Sequence, residues 1–383
     1  MSNKKNIFSE EIELSGIVLE KTNEAFEMIK QEDTGYMKKT NIRGKRLFKT
    51  KVAAVAGICI LGISSISVVA AIQHKWGRGM NGNIQASDTQ QQVLTEKGVA
   101  KVYGENPDYT SMAVTDNGIT ITPDTVVVDE RYAYLSFCIS NYSVDDGVEP
   151  GFETVGVYQG DNLEDADSWV NMSGSMYDGI IPDENGTPIY EDGSSLEKYE
   201  DGNFICHYTD DNGNMEYIIQ ASVADEDDSL LGKTIHVNFQ NLGTLSKAEF
   251  TPVVEGNWNF EISLSDVSST QEIEVGKKIE GTDFEIDNID ISPISIKVNY
   301  SVNEAPEEKE DELGIPTVKG VVLKDGTKIP YLIGGSMTGY TDSAKTNAYQ
   351  IAGFERVIDV DEIAALIVLT SSENDKVEIP ISK

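Results

Sequence analysis

Histidine and cysteine are scarce in this chain, with three of each among 383 residues. None of either falls within residues 1–51, so zinc ligation by imidazole and thiolate is excluded from that segment. Cys59 lies in an apolar run, which leaves Cys138 and Cys206. Two thiols do not make a disulfide framework, and either one bridge or two separate buried thiols fits the sequence. His74, His207 and His236 bring no nucleophile elbow with them. Gly335-Ser336-Met337-Thr338-Gly339 misses G-x-S-x-G by one residue, and Ser195-Leu196-Glu197-Lys198 matches S-x-x-K only within a Gly- and acid-rich loop. Bases are short as well: 30 Lys and Arg stand against 65 Asp and Glu, a net charge of −35. Such a field repels nucleic acid, and no Gly-rich loop follows a strand and opens a helix to cradle phosphate.

Long hydrophobic runs are also lacking, with one exception. Val52 to Ile72 is free of charge over 21 positions, close to the roughly 20 apolar residues that span a bilayer as a helix. Lys38, Lys39, Arg43, Lys45, Arg46, Lys49 and Lys51 precede it with no intervening acid, which places residues 1–51 inside and 73–383 outside. Val69 and Ala71 have the spacing of a signal-peptidase site, but a signal core runs about 7–15 residues behind a short basic start. The expectation is an uncleaved cell-membrane anchor, single-pass, with the N-terminus cytoplasmic and the C-terminal region extracytoplasmic. Residues 1–51 hold 11 bases and 8 acids, whereas 19 bases and 57 acids follow the run.

Within residues 1–51, Ser9 to Gln31 has helical periodicity. Leu14, Val18, Ala25 and Ile29 share one face, and Ser9 with Glu10 and Glu11 suits an N-terminus. This face is the candidate partner-binding site. Self-association or lying on the lipid bilayer is the plain alternative to docking a cytoplasmic partner. Beyond the run, Trp76 suits an interfacial aromatic belt, with Lys75 and Arg78 reaching headgroups. Ser87-Asp88-Thr89-Gln90 is a capping-box pattern opening a short helix that Gly98 ends.

From about Met112 the period becomes two. Ile119, Ile121, Val126 to Val128 and the Tyr132–Ser140 run alternate as strands. Asn117-Gly118 and Asp325-Gly326 have the flanks of tight hairpins. Further strands are expected over 204–208, 217–223, 234–241, 258–264, 284–291, 294–301, 318–323 and 365–370. The expected fold is mostly β: one transmembrane helix (52–72) after the cytoplasmic segment, a juxtamembrane linker and short helix (73–110), and two antiparallel β-sandwich-like extracytoplasmic domains (111–265 and 266–383). Acidic loops such as Asp210 to Asn214 have oxygen ligands for calcium, but Met215 stands where an EF-hand requires glycine. They read as solvated loops. No metal, cofactor or catalytic residue is assigned.

Three segments together carry a family resemblance. They are Trp76 to Gly98 (WGRGMNGNIQASDTQQQVLTEKG) behind a basic stretch and single span, Val114 to Pro123 (VTDNGITITP), and Tyr132 to Phe137 (YAYLSF). With Gly256 to Ser263 and Asp290 to Val298, they resemble domain-of-unknown-function family 4179, membrane proteins of Gram-positive bacteria. The resemblance covers most of the chain from about residue 45. It implies an anti-sigma-factor-like role: a cytoplasmic segment holding a sigma factor, one span, and an outer sensor region for an unknown extracytoplasmic ligand. The chain departs from zinc-binding anti-sigma domains, since His-x3-Cys-x2-Cys is absent from residues 1–51. Partner capture would therefore rest on the apolar helix face. The alternative is a membrane-anchored binding or adhesion protein with no signalling role.

Overall fold

The computed structural model describes residues 75–103, 112–145, 147–159, 170–200, 202–246, 249–304, 314–370 and 376–381. The apolar run 52–72 and the partner-face residues Leu14, Val18, Ala25 and Ile29 lie outside the described residues. No helix among the described residues is long and apolar enough to cross a membrane.

The described residues are mostly strand. Two short helices lead, α1 (Arg78–Asn83) and α2 (Asp88–Glu96). The capping box at α2 is formed as its sequence predicts. Ser87 Oγ accepts from the Gln90 amide, Gln90 Oε1 accepts from the Ser87 amide, and Gly98 follows the helix at φ +76°.

The first sandwich begins with β1 (Ala100–Val102), β2 (Val114–Asp116), β3 (Ile119–Val128) and β4 (Tyr132–Ser140). It continues with β5 (Glu149–Gln159), β6 (Asn171–Met176), a small hairpin of β7 (Ile180–Pro182) and β8 (Pro188–Tyr190), β9 (Met215–Ser222), β10 (Thr234–Ser246) and β11 (Glu249–Ser263). One sheet runs β1-β3-β4-β9-β6, with β2 also on β3; the other runs β11-β10-β5, and all pairs are antiparallel. Asn117 and Gly118 close the β2–β3 hairpin at φ +46° and +85°, the backbone that makes Asn-Gly the favoured pair there. An aromatic cluster joins the sheets. Phe137 on β4 lies 5.0 Å from Phe239 and 5.1 Å from Phe260, while Phe152 lies 4.6 Å from Phe239. Trp258, fully buried, donates its indole N–H across the gap to the Ile119 carbonyl at 3.2 Å.

The second sandwich comprises β12 (Gln271–Lys278), β13 (Phe284–Ile291), β14 (Ser295–Val302), β15 (Thr317–Leu323), β16 (Lys328–Ile329), β17 (Ile333–Tyr340), β18 (Asn347–Phe354), β19 (Ile363–Leu369) and β20 (Lys376–Pro380). Its sheets are β12-β13-β14-β18-β17 and β16-β15-β19-β20. Ile286, Ile289, Tyr300, Leu366 and Val368 fill the space between them. Fully buried Gln350 reaches from β18 to β15, accepting the Val318 amide at 2.6 Å and donating to the Val318 carbonyl at 3.1 Å. Both backbone groups of an internal residue are thereby satisfied by one side chain.

Two expectations are corrected. Residues 204–208 form no strand; Phe204 makes only an isolated bridge with Lys198, within a segment that winds past β8. Trp76 does not stand in an aromatic belt. It is 5% exposed and belongs to the core of the first sandwich, while Arg78 is held by protein partners. A Trp between bases is compatible with either environment, and only distant strands decide between them. Cys138 and Cys206 are free thiols, each pushed above its ordinary pKa by burial, Cys138 to about 11.

Candidate functional site

The segment that carries Trp76 to Gly98 is clasped by side chains from four distant parts of the chain. The Trp76 amide donates to Gln91 Oε1 at 3.0 Å, and Gln91 is itself fixed by donating to Asn81 Oδ1 and the Ala86 carbonyl, both at 3.0 Å. The Gly77 amide donates to Asp124 Oδ2 at 3.1 Å, and the Gly79 amide to Glu216 Oε2 at 2.7 Å. Asp124 sits on β3 and Glu216 on β9, so both carboxylates rise from one sheet to meet the first amides of α1. These amides have no partner within a helix, which is why carboxylates satisfy them well.

Arg78 supplies the other half of the clasp. Its Nε donates to Glu191 Oε1 at 2.7 Å, its Nη2 to the His207 carbonyl at 2.6 Å, and its guanidinium lies 4.9 Å from the centre of the Tyr177 ring. Tyr177 donates to the second Glu191 oxygen at 3.0 Å, closing the loop of contacts. Close approach explains the glycines. A Cβ on Gly77 would stand 2.2 Å from Asp124 Oδ2, one on Gly79 would stand 2.7 Å from Ile218 Cδ1, and one on Gly82 would stand 2.3 Å from the Tyr177 ring.

The same segment also meets the second sandwich. Gln85 pairs with Arg356 as a parallel bridge, its amide donating to the Glu355 carbonyl and its carbonyl accepting from the Val357 amide, each at 2.8 Å. Gln90 Nε2 adds a bond to the Val357 carbonyl at 3.1 Å. Residues 75–98 are therefore a junction piece that touches both sandwiches. A second link lies nearby at fully buried Asp129, after β3. Its carboxylate accepts the Arg131 and Tyr132 amides at 2.8 Å and the hydroxyls of Ser292 and Ser295 from the second sandwich. Lys297 and Glu226 form a largely buried ion pair at 2.9 Å between the same two parts.

Glu216 is the titratable centre of the clasp. Burial first, and then the facing Asp124 charge, push its carboxyl from 4.5 up to about 7, against the pull of the Gly79 amide and Arg78. Between these values the folded chain binds this proton more tightly than the unfolded chain does. The unfolding free energy contributed by this group therefore falls as pH rises from about 4.5 to about 7, and is flat above. Glu216→Gln is expected to flatten this slope, by a few kcal/mol at most across the window. Denaturant unfolding at pH 5 and pH 8 checks it; an unchanged difference between the two pH values would refute the assignment.

Among the described residues, no group of three or more His, Cys, Asp or Glu side chains is placed to hold a metal. Asp210 instead closes its own turn, accepting the Asn212 and Asn214 amides at 2.8 Å. His236 stacks on Tyr158 at 5.1 Å, and His207 packs against Tyr190 at 4.7 Å. Ser336 lies on edge strand β17, and Ser195 makes an isolated bridge with Ile189. Sequence reasoning missed Asp124, Glu191 and Glu216. Glu216 does stand between inward-facing Met215 and Tyr217, but an acid at an outward strand position is ordinary, and its partner amide lies 137 residues away.

No known protein family matches the chain, and no curated protein matches it. Among solved structures it is similar to a conserved domain protein from Bacillus anthracis, with 14% identity and a TM-score of 0.40 over 70% of this chain and 79% of that one. It is also similar to the CupB6 tip adhesin from Pseudomonas aeruginosa, with 10% identity and a TM-score of 0.17 over 72% of this chain and 93% of that one.

Proposed function

We propose that this chain is a non-enzymatic single-pass membrane regulator, anti-sigma-factor-like, whose β-rich extracytoplasmic region senses an outer event and alters how the N-terminal segment holds a cytoplasmic partner. One observation carries the reading. Residues 75–98, which directly follow the apolar run 52–72, are built into both sandwiches through Trp76, Asp124, Glu216, Arg78 and Gln85. A passive tether needs only a solvated linker at that place. A clasped one transmits any rearrangement of the two sandwiches to the run beside it, because packed interfaces move between discrete arrangements. The sequence pattern supplies the remaining parts: a basic inner flank, a run of spanning length, and the face Leu14, Val18, Ala25 and Ile29 for a sigma factor.

The test is capture of cytoplasmic proteins by the full-length chain in membranes, with Val18→Asp/Ile29→Asp as the comparison. Two buried-face charges are expected to lower capture of a single specific partner at least tenfold, since each acid would have to be desolvated in the contact. If residues 5–35 can be deleted with no change in captured proteins, the chain is an anchored binding or adhesion protein and the regulator reading fails.

A further inference from the structure

We infer that Asp124 and Glu216 form a proton-operated latch: the pair shares one proton while Gly77 to Gly79 are seated on it, and losing that proton releases this stretch while both sandwiches stay folded. The two carboxylates rise from different strands, β3 and β9, and converge on three residues of backbone. A Cβ on Gly77 would stand 2.2 Å from Asp124 Oδ2 and 2.8 Å from Glu216 Oε2, so these oxygens lie within about 5 Å of each other. A Cβ on Gly79 would stand 2.8 Å from the same Glu216 oxygen. Only a backbone without side chains at these two positions lies against both acids, and while seated it keeps water from them.

Two carboxylates this close, with water excluded, favour a state with one proton between them. The donors decide which side chain holds it. Asp124 Oδ2 accepts the Gly77 amide at 3.1 Å, the Thr125 hydroxyl at 2.9 Å and the Ser136 hydroxyl at 3.2 Å, a set that suits an anion. Glu216 Oε2 accepts the Gly79 amide at 2.7 Å, which leaves the other Glu216 oxygen to carry the proton. The remaining titratable neighbours do not replace this exchange. Arg78 on α1 pulls the Glu216 carboxyl down but is itself tied to Glu191. Cys138 on β4 stands opposite Glu216 in register, and burial pushes its thiol up to about 11, so it stays protonated while Glu216 titrates. Asp210, in the turn before β9, is held below the ordinary range, against burial, by the Asn214 and Asn212 amides. Strand β7, which also packs on α1, carries no titratable side chain.

Seated, the Glu216 carboxyl stands at about 7, raised by burial first and by the Asp124 charge second; released into water, it returns to its ordinary value of 4.5. The seated state therefore binds the proton more tightly, and release becomes more frequent as pH rises from about 4.5 to about 7. From pH 5 to pH 8 the released population should grow about fifty-fold. This is a local opening of a few residues, and it does not rest on the regulator reading.

The experiment is amide hydrogen exchange of the full chain in detergent from pH 5 to pH 8, with rates corrected for intrinsic chemical exchange. Protection of the Gly77 and Gly79 amides is expected to fall about fifty-fold across this range, while the β13–β14 ladder keeps its protection. Glu216→Gln, which still offers an oxygen to the Gly79 amide, should hold that protection constant with pH. Asp124→Asn should leave a smaller change than the parent chain shows, because burial acts on Glu216 after the like charge is gone. Constant protection in the parent chain would overturn the latch. So would the parent's pH dependence persisting in Glu216→Gln, an undiminished dependence in Asp124→Asn, or an equal loss in the β13–β14 ladder.

Discussion

Asp129→Ala is expected to cost about 3–5 kcal/mol of folding stability, measured by denaturant unfolding of the full chain followed by circular dichroism. The carboxylate is fully buried and collects four donors: the Arg131 and Tyr132 amides of its own turn, and the Ser292 and Ser295 hydroxyls of the other sandwich. Truncation strands two backbone amides that have no water to turn to, each costing about 1–3 kcal/mol, and opens a gap where the two sandwiches meet. Burial keeps the Asp129 carboxyl above its ordinary value despite those donors, so desolvation is the largest single influence on its ionisation. Asp129→Asn should therefore cost much less. Its oxygen still serves the two amides, and the Ser295 hydroxyl can turn to accept from its NH2, whereas Ser292 Oγ already accepts the Ile294 and Ser295 amides. The double substitution Ser292→Ala/Ser295→Ala should cost about as much as the alanine variant, because Ser292 Oγ also accepts the Ile294 and Ser295 amides at 3.0 Å, and its removal strands both while leaving the carboxylate short of partners. An alanine variant within about 1 kcal/mol of the parent chain would show that this junction does not hold the sandwiches together.

The sequence made the β-rich class legible because it depends on local signals. Alternation over Tyr132–Ser140, Asn-Gly at 117–118 and the polar break after Leu264 are all short-range, and strands 284–291 and 318–323 stand within a residue of their predicted ends. Two of the missed strands share a reason. Glu149–Gln159 contains Pro150, Gly151 and Gly156, and half of Gln271–Lys278 is charged, and each occupies a sheet edge where one side faces solvent. Residues 204–208 have the opposite history: Phe-Ile-Cys-His-Tyr looks like a strand, but no neighbour pairs with it beyond one bridge. The clasp was hidden for a different cause. Trp76 and Arg78 stood out in the sequence, but next to an apolar run they fit a membrane interface. What approaches them comes from residues 124, 191, 207 and 216, and only the fold brings those together.

Trp76→Ala is expected to destabilise the first sandwich by about 3–5 kcal/mol and to uncouple the segment before α1 from both β units. The indole is 5% exposed and packs in the same core as Met80, Ile84 and Leu94, so its removal leaves a large cavity under α1. Only the Trp76 backbone amide is tied, to Gln91; the ring Nε1 is buried without a partner. That orphan donor sets up a sharper comparison. Trp76→Phe loses volume but also removes the unsatisfied N–H, and two terms of about 1–3 kcal/mol with opposite sign should nearly cancel. The phenylalanine variant should therefore stay close to the parent chain in stability while alanine falls well below it. Hydrogen exchange on the full chain gives the second readout. In the alanine variant the Gly77, Gly79 and Ile84 amides, held by Asp124, Glu216 and the Met80 carbonyl, should lose most of their protection, whereas amides of β13 and β14 in the second sandwich should keep theirs. Equal loss in both places would mean the chain unfolds as one unit, and the clasp would then be a matter of stability alone. Loss confined to residues 77–84 identifies the ring as the anchor that makes this short segment follow the sandwiches, the property that the proposed regulator role requires.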